Sequence, residues 1–161
     1  RAGVKVADGL LIRASDEVGL VGRQVSPLGW PIVVKPRHGG SSLGVSLVRA
    51  PAELPAALAA VMRHEPEAVV ERYIPGREFT MGIVGDRVLP PLELVTRRAF
   101  YDYEAKYSDG GTEYRIDPPL PLGVGIRLEE ATLNVFRALG WRGIPRPQEW
   151  LLLEPAAINP S

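Results

Sequence analysis

The sequence contains no cysteine among its 161 residues. A disulfide scaffold, a zinc site built on thiolates and a cysteine nucleophile are therefore excluded. Charge of one sign is not in excess either, because Lys and Arg together number 19 and so do Asp and Glu. A net charge of zero offers no electrostatic reason to expect nucleic acid or an anionic membrane surface as a partner.

Long hydrophobic runs are also missing, since no apolar stretch approaches the roughly 18–20 residues of a membrane-spanning helix. Residues 1–4 include neither an initiator Met nor the apolar core of a signal peptide. We therefore expect a cytoplasmic protein whose sequence begins within a longer chain. Hydrophobic residues make up 45% and charged residues 24% of the sequence, which is typical of a globular domain.

The spacing of apolar residues predicts alternating strands and helices, separated by frequent glycine and proline. Arg13 to Asp16 are typical of a helix N-cap, Gly85-Asp86 of a hairpin turn, and 96–121 of a long ordered loop. This order predicts an α+β fold of two lobes, residues 1–75 and 76–161, divided near Pro75-Gly76. The predicted strands are 4–12, 31–36, 45–48, 68–74, 79–84, 88–95 and 150–154, and the predicted helices are 51–64 and 128–139.

Lys35 is the first candidate for binding chemistry, because it ends a predicted buried strand and is followed by a segment rich in Gly and Ser at 39–44. Glycine lets the backbone form a concave nest of N–H groups that holds phosphate, and a lysine adds a point charge. No Gly-Lys-Ser/Thr follows these glycines, so the segment is not a P-loop. A plain hairpin turn with solvated polar residues explains the segment equally well.

Two further candidates are weaker when the residues are taken alone. Glu71 and Glu78 lie near predicted strand ends, where carboxylates could accept hydrogen bonds from an adenine amino group or from ribose hydroxyls. Two solvated carboxylates are the simpler interpretation. Residues 100–107 place three tyrosines and a lysine in one loop, which indicates either a lid over a transferring phosphoryl group or a surface loop anchored by aromatic rings.

Four motifs occur together in an order that resembles the D-alanine–D-alanine ligases. They are Val-Val-Lys-Pro at 33–36, Gly-Ser-Ser-Leu-Gly at 40–44, Gly-Arg-Glu-Phe-Thr at 76–80 and Phe-Tyr-Asp-Tyr-Glu-Ala-Lys-Tyr at 100–107. The last motif is the most specific, whereas the first also resembles ATP-grasp enzymes in general. The resemblance extends to Gly143.

This resemblance implies an ATP-grasp fold, with ATP lying in a cleft between two lobes and its phosphates bridged by Mg²⁺ or Mn²⁺. The family joins two D-alanines for peptidoglycan precursors in cell-wall synthesis. ATP first phosphorylates one D-alanine carboxylate, and the amine of the second then attacks the acyl phosphate. The resemblance also allows a homodimer, which this sequence does not reveal.

The resemblance further implies roles for individual residues. Lys35 is similar to the lysine on the ATP phosphates, Lys106 to the lid lysine that reaches the γ-phosphate, and Glu78 to the carboxylate on the ribose. The implied nucleotide-binding residues are Lys35, Gly40, Ser41, Ser42, Glu71, Arg72, Ile74, Glu78 and Lys106. The implied catalytic residues are Ser41, Lys106, Tyr107 and Arg146.

The sequence departs from the family at the predicted metal site. Glu154 and Asn159 resemble two metal ligands, but Gln148 occupies the position of the family's aspartate. Mg²⁺ prefers hard carboxylate oxygens, so we expect weakened metal binding. We also expect the chain to begin after the family's first domain, which carries part of the substrate site, and the isolated chain to make no dipeptide. The alternative hypotheses are a degenerate nucleotide-binding module without catalysis and a D-alanine–D-lactate ligase.

Overall fold

The computed structural model describes residues 3–38, 42–85, 87–96, 112–140 and 151–153. It divides into two compact units. The first contains Ala7–Tyr73, and the second contains residues 3–6 and Ile74–Val95 together with the described residues from Thr112 onward. Their identification as the two ATP-grasp lobes stays a prediction.

The first unit is a four-stranded antiparallel sheet covered on one face by two helices. Its strands are β1 (Gly9–Arg13), β2 (Ile32–Pro36), β3 (Ser46–Val48) and β4 (Glu67–Arg72), in the order β1-β4-β2-β3. The helices are α1 (Val18–Val25) and α2 (Leu54–Met62), which adjoin the 3-10 turns Ser26–Leu28 and Pro51–Glu53.

Alternation along the strands separates a buried face from an open face in this first sheet. The buried side chains include Ile32 and Val34 of β2 and Val70 of β4, which pack with Leu58 and Val61 of α2. Because successive side chains of a strand point to opposite faces, the remaining side chains of the same strands lie on the face without helices. We call this the open face.

The second unit contains a smaller sheet and one long helix. Its strands are β5 (Arg77–Thr80), β6 (Ile83–Val84), β7 (Arg87–Val88), β8 (Leu92–Thr96), β9 (Thr112–Ile116) and β10 (Leu151–Leu153), and its helix is α3 (Val124–Ala138). The sheet order is β10-β5-β8-β9, while β6 and β7 form a separate ribbon. Phe79 and Met81 pack with Val124 and Leu128 to form the core.

The hairpin predicted at Gly85-Asp86 is confirmed at Gly85, where φ is 67° between the antiparallel strands β6 and β7. Asp86 itself lies outside the described residues. Each predicted strand is divided, however, into β5 and β6 on one side and β7 and β8 on the other. Pro90 and Pro91 have no N–H to donate to a ladder, and the N–H of Leu89 instead reaches the carbonyl of Gly82 at 2.8 Å.

Four other predictions of secondary structure were wrong in detail. The first strand begins at Gly9, and Asp16 does not cap a helix: its carboxylate accepts the backbone N–H of Arg13 at 2.8 Å and closes a turn. The helix predicted at 128–139 begins at Val124, one turn earlier. The predicted loop 96–121 contains the strand β9, whose residues are almost all exposed and therefore show no alternating burial.

None of the three helices in the part of the chain described above combines the length and the hydropathy that a bilayer-crossing helix requires.

Candidate functional site

The open face of the first sheet brings together two of the residues that the sequence singled out. In the antiparallel register β4 lies between β1 and β2, so that Glu71 is opposite both Gly9 and Val33, and Val69 is opposite both Leu11 and Lys35. Lys35 and Glu71 are therefore diagonal neighbours on one face, which is within reach of long side chains.

Lys35 and Glu71 form an ion pair, with 2.5 Å between Nζ and Oε2. The two side chains are 37% and 29% exposed, so both remain accessible from the open face. An ion pair that solvent can still reach contributes little to stability, about 0–1 kcal/mol. Its significance is chemical, because it presents a cation and a carboxylate side by side at the end of a strand.

Gly9 makes room for the carboxylate of Glu71. A Cβ at position 9 would lie 2.8 Å from Cγ of Glu71 and 2.9 Å from the carbonyl oxygen of Val70. A larger residue would therefore displace the side chain that pairs with Lys35. Sequence reasoning missed this role, although a glycine inside a predicted strand is a signal of close backbone approach.

The last glycine of the glycine-rich segment lies close to the end of β2. Gly40 and Ser41 lie outside the described residues, but Ser42 has a φ of 56° and Gly44 a φ of 72°, both in the left-handed region. A Cβ at Gly44 would lie 3.0 Å from Cγ of Pro36. The Lys-Pro pair and the last glycine of the motif are thus neighbours in space, which agrees with the tight approach that glycine permits.

Charged side chains also surround the end of β2 beyond Lys35. Glu67 accepts hydrogen bonds from Arg37 and, at 3.2 Å, from Nε of Arg13. The hydrogen bond from Arg37 holds the pKa of the Glu67 carboxyl below its ordinary value, and Arg13 acts in the same direction. Sequence reasoning missed this cluster, because its members come from three strands or strand ends.

The segment that follows β4 carries two more predicted residues. Arg72 ends the strand and is exposed, and its backbone N–H donates to the carbonyl of Asp8 at 2.9 Å. The next N–H, of Tyr73, donates to the carbonyl of Pro31 at 3.1 Å. Ile74 is half-buried and begins the second unit. Hydrogen bonds to the segments before β1 and β2 therefore hold the chain where it leaves β4.

Glu78 lies in the second unit, on β5. It is half-buried and opposite Leu94 of β8. Because side chains alternate along β5, it projects from the face opposite that of Phe79, which belongs to the core. The structure thus separates Glu78 from the packed face of its sheet.

A two-point ion pair in the second unit joins Arg77 to Glu93, which sequence reasoning did not select. Nε and Nη2 of Arg77 donate to the two carboxylate oxygens of Glu93 at 2.6 and 2.9 Å, and Glu93 is only 4% exposed. The hydrogen bonds from Arg77 lower the pKa of Glu93, and the same contacts raise the pKa of Arg77. The guanidinium also lies 5.0 Å from the centre of the Phe79 ring. This pair fixes β5 to β8 immediately beside Glu78.

The other predicted site residues lie outside the described residues. They are Lys106, Tyr107, Arg146, Gln148, Glu154 and Asn159, together with Gly40 and Ser41. Among the side chains that are described, no group of three His, Cys, Asp or Glu residues could hold a metal ion.

Comparison with known proteins identifies the family. Residues 2–151 match the sequence model of the family described as "D-ala D-ala ligase C-terminus". The chain belongs to this family.

Curated relatives and solved structures agree with this assignment to the ligase family. The D-alanine–D-alanine ligase of Geobacter sulfurreducens is 40% identical over 144 residues, which cover 89% of this chain and 45% of that protein. The ligase of Gloeobacter violaceus is 41% identical over 123 residues, covering 76% of this chain and 41% of that protein. The chain therefore spans less than half the length of these relatives.

Two solved structures of the ligase family resemble almost the whole chain. The VanG D-Ala:D-Ser ligase from Enterococcus faecalis has a TM-score of 0.82 at 26% identity, covering 98% of this chain and 46% of that one. The D-alanine–D-alanine ligase from Bacillus anthracis has a TM-score of 0.74 at 30% identity, covering 94% of this chain and 51% of that one. The predicted α+β fold of the ATP-grasp type is thereby confirmed.

Proposed function

We propose that this chain is the ATP-binding part of a D-alanine–D-alanine ligase, which joins two D-alanines for peptidoglycan synthesis in the cytoplasm. The proposal combines family membership with one structural observation, the Lys35–Glu71 pair on the open face beside the glycine-rich segment. The pair supplies the two kinds of group that a nucleotide needs, a cation for phosphate and an acceptor for the adenine amino group.

The surroundings of the pair suit a purine ring. The open face carries half-buried apolar side chains from four adjacent strands, and a flat aromatic ring can cover such a surface. Glu71 lies on the strand next to that of Lys35, so one ligand can meet both groups. These apolar side chains are Leu11, Val33, Leu47 and Val69.

In this proposal each described residue has a definite task. Lys35 donates to a phosphate oxygen as a point charge, Glu71 accepts from the adenine amino group, and Glu78 accepts from the ribose hydroxyls. Arg72 and Ile74 meet adenine where the chain leaves β4, and Ser42 belongs to the phosphate segment. ATP provides the phosphoryl group that activates the first D-alanine carboxylate. Transfer of that group requires positioning and cations more than a covalent protein group.

The remaining roles rest on the resemblance of the motifs. Lys106 brings a cation to the γ-phosphate and Arg146 stabilises the transferring phosphoryl group. Gly40 belongs to the phosphate nest, which Ser41 shares, and Ser41 also orients the substrate with Tyr107. Glu154 and Asn159 are proposed Mg²⁺ ligands.

A second D-alanine is favoured over D-serine as the accepting substrate. The Enterococcus D-Ala:D-Ser ligase shares the fold at 26% identity, whereas the curated D-alanine–D-alanine ligase of Geobacter reaches 40%. A shared fold does not by itself imply a shared substrate, so sequence identity is the better guide to the second substrate.

The test of nucleotide binding uses the choice between ATP and GTP. Adenine donates from an amino group at the position where guanine has a carbonyl, so the Glu71 carboxylate should accept ATP and reject GTP. We expect calorimetric titration to show a preference for ATP of about tenfold or more, because bound GTP would cover the Glu71 carboxylate with another acceptor. Glu71→Gln should reduce this preference, since an amide can also donate.

Glu130→Gln, on the exposed surface of α3, is the matched control and should leave the preference unchanged. If the unmodified chain binds neither nucleotide, the proposed function is wrong. If it binds ATP and GTP equally, the proposed role of Glu71 is wrong, but the proposed phosphate site is not contradicted.

A further inference from the structure

The chain between Lys35 and the glycine-rich segment is anchored by Glu65. The two carboxylate oxygens of Glu65 lie 3.2 and 3.3 Å from the backbone nitrogen of His38, and Oε2 is also 3.2 Å from Nδ1 of the imidazole. The side chain of Glu65 is only 15% exposed, whereas that of His38 is 75% exposed. The Glu65 carboxylate is thus the sheltered partner in this contact, and the imidazole of His38 is the exposed one.

Glu65 is itself held in place by the end of α2. Its backbone N–H donates to the carbonyl of Val61 at 3.2 Å, and Val61 is almost completely buried in the core of the first unit. The carboxylate therefore projects from a rigid support. A side chain anchored in this way can restrain the backbone that it contacts.

The neighbouring residue is restrained from the same side. The backbone N–H of Arg37 donates to the carbonyl of Glu67 at 3.3 Å, and the guanidinium of Arg37 pairs with the Glu67 carboxylate. The direction in which the chain leaves β2 is therefore determined by contacts with the segment that precedes and begins β4. Gly44, near the other end of the motif, lies against Pro36.

We propose that Glu65 is a positioning residue for the phosphate end of the nucleotide site, an inference that rests on the proposed function of Lys35 and the glycine-rich segment. Its carboxylate orients the backbone of His38, which leads into that segment. Glu65 does not contact the nucleotide in this proposal. A change at Glu65 should therefore alter the affinity for the phosphates of ATP and leave the affinity for adenosine unchanged.

The chemistry of Glu65 provides a sharp test, because its acceptor function and its charge can be separated. Glu65→Gln retains an oxygen that accepts the His38 N–H and removes a negative charge close to a polyphosphate. Glu65→Ala removes the acceptor as well as the charge, so the difference between the two variants isolates the acceptor. We expect Glu65→Ala to weaken ATP binding by about threefold to tenfold, the value of one net hydrogen bond. Glu65→Gln should bind ATP at least as tightly as the unmodified chain.

The experiment measures ATP binding by calorimetry and adenosine binding by NMR chemical-shift titration on the unmodified chain and both Glu65 variants. Adenosine affinity should stay within about twofold in all three. The matched control is Glu53→Ala, because the Glu53 carboxylate also accepts a backbone N–H, that of Arg49 at 2.8 Å. This contact follows the end of β3 that pairs with Ile32, which is the end of β2 away from Lys35.

Loss of ATP affinity in Glu65→Ala, rescue by Glu65→Gln and unchanged adenosine affinity would support the proposal. Equal losses for ATP and adenosine would show that Glu65 acts on the fold alone and would overturn it, as would a Glu65→Ala variant that binds ATP normally. If the unmodified chain binds neither ligand, the proposed function fails and this inference fails with it. A loss in Glu53→Ala as large as that in Glu65→Ala would likewise contradict a local role.

Discussion

At the scale of single residues, Lys35 is the group on which nucleotide affinity should depend most. Its ammonium lies at the end of β2 in a partly exposed position, where a charge-assisted hydrogen bond to phosphate is worth about 1.5–3 kcal/mol. Lys35→Ala should therefore weaken ATP binding by roughly tenfold or more. Calorimetric titration measures this, with Lys5→Ala at an exposed position as the control. Equal affinities of the two variants would remove Lys35 from the phosphate site.

Gly9 allows a second test at the residue scale, through stability. Gly9→Ala should reduce the free energy of unfolding by about 1–3 kcal/mol, because the added methyl group collides with Glu71 and with the backbone of Val70. Gly22→Ala is the matched control, since its Cβ would meet nothing within 4 Å and it lies within α1. That change should stabilise the chain by about 0.5–1 kcal/mol, as glycine is a poor helix former. Urea denaturation of both variants distinguishes crowding at position 9 from a general effect of Gly→Ala.

At the scale of elements, the pairing of β5 with β8 depends on the Arg77–Glu93 ion pair. Glu93 is nearly inaccessible, so Glu93→Gln leaves the Arg77 guanidinium without its charged partner. We expect a loss of about 1–3 kcal/mol in unfolding free energy, below the range for a fully buried pair because Arg77 is 32% exposed. Glu113→Gln removes the partner of Arg115 in an exposed pair and should cost much less, because solvent screens an exposed pair. Similar losses of unfolding free energy in the two variants would show that the burial of Glu93 does not strengthen its contribution to stability.

The same pair should make stability depend on pH. The pKa of Glu93 is lowered in the folded chain by its hydrogen bonds to Arg77. The folded state therefore holds its proton less tightly than the unfolded state, and the contribution is complete above the ordinary glutamate pKa of about 4.3. It is lost as the pH falls from there through the lowered pKa. Urea denaturation between pH 7 and pH 3 should show a smaller acid-induced loss in Glu93→Gln than in the unmodified chain, and an identical loss would contradict the assignment.

At the scale of the whole molecule, dependence on magnesium tests the proposed metal site. In the proposed metal site Gln148 replaces a carboxylate that the family resemblance implies, so Mg²⁺ should add little to ATP affinity in the unmodified chain. Gln148→Asp should increase the effect of Mg²⁺, because Mg²⁺ prefers carboxylate oxygens. Titration of ATP with and without Mg²⁺ measures the difference, and Gln24→Asp, at an exposed position in α1, controls for added charge. An unchanged effect of Mg²⁺ in Gln148→Asp would contradict the alignment of the last residues with the family's metal ligands.

Strong local patterns made much of the fold predictable from the sequence. Strand β2 is a short apolar run that follows Pro31, helix α2 is rich in alanine and leucine, and both lie within the predicted ranges. Helix α3 was only partly predicted, because its first turn contains Gly125, a poor helix former. Packing of Val124 in the core stabilises that turn, and sequence spacing did not reveal this contact.

By itself, the sequence determined the family, since four motifs in a defined order indicate the ligases. It also identified Lys35 and Glu71 as separate candidates. Only the tertiary structure decided that they are partners, because the position of β4 between β1 and β2 depends on contacts between distant segments. The same is true of Gly9, Glu65 and Glu93, whose significance arises from close approach, anchoring and burial. Those properties are set by strand pairing and packing, and residue type or local spacing does not determine them.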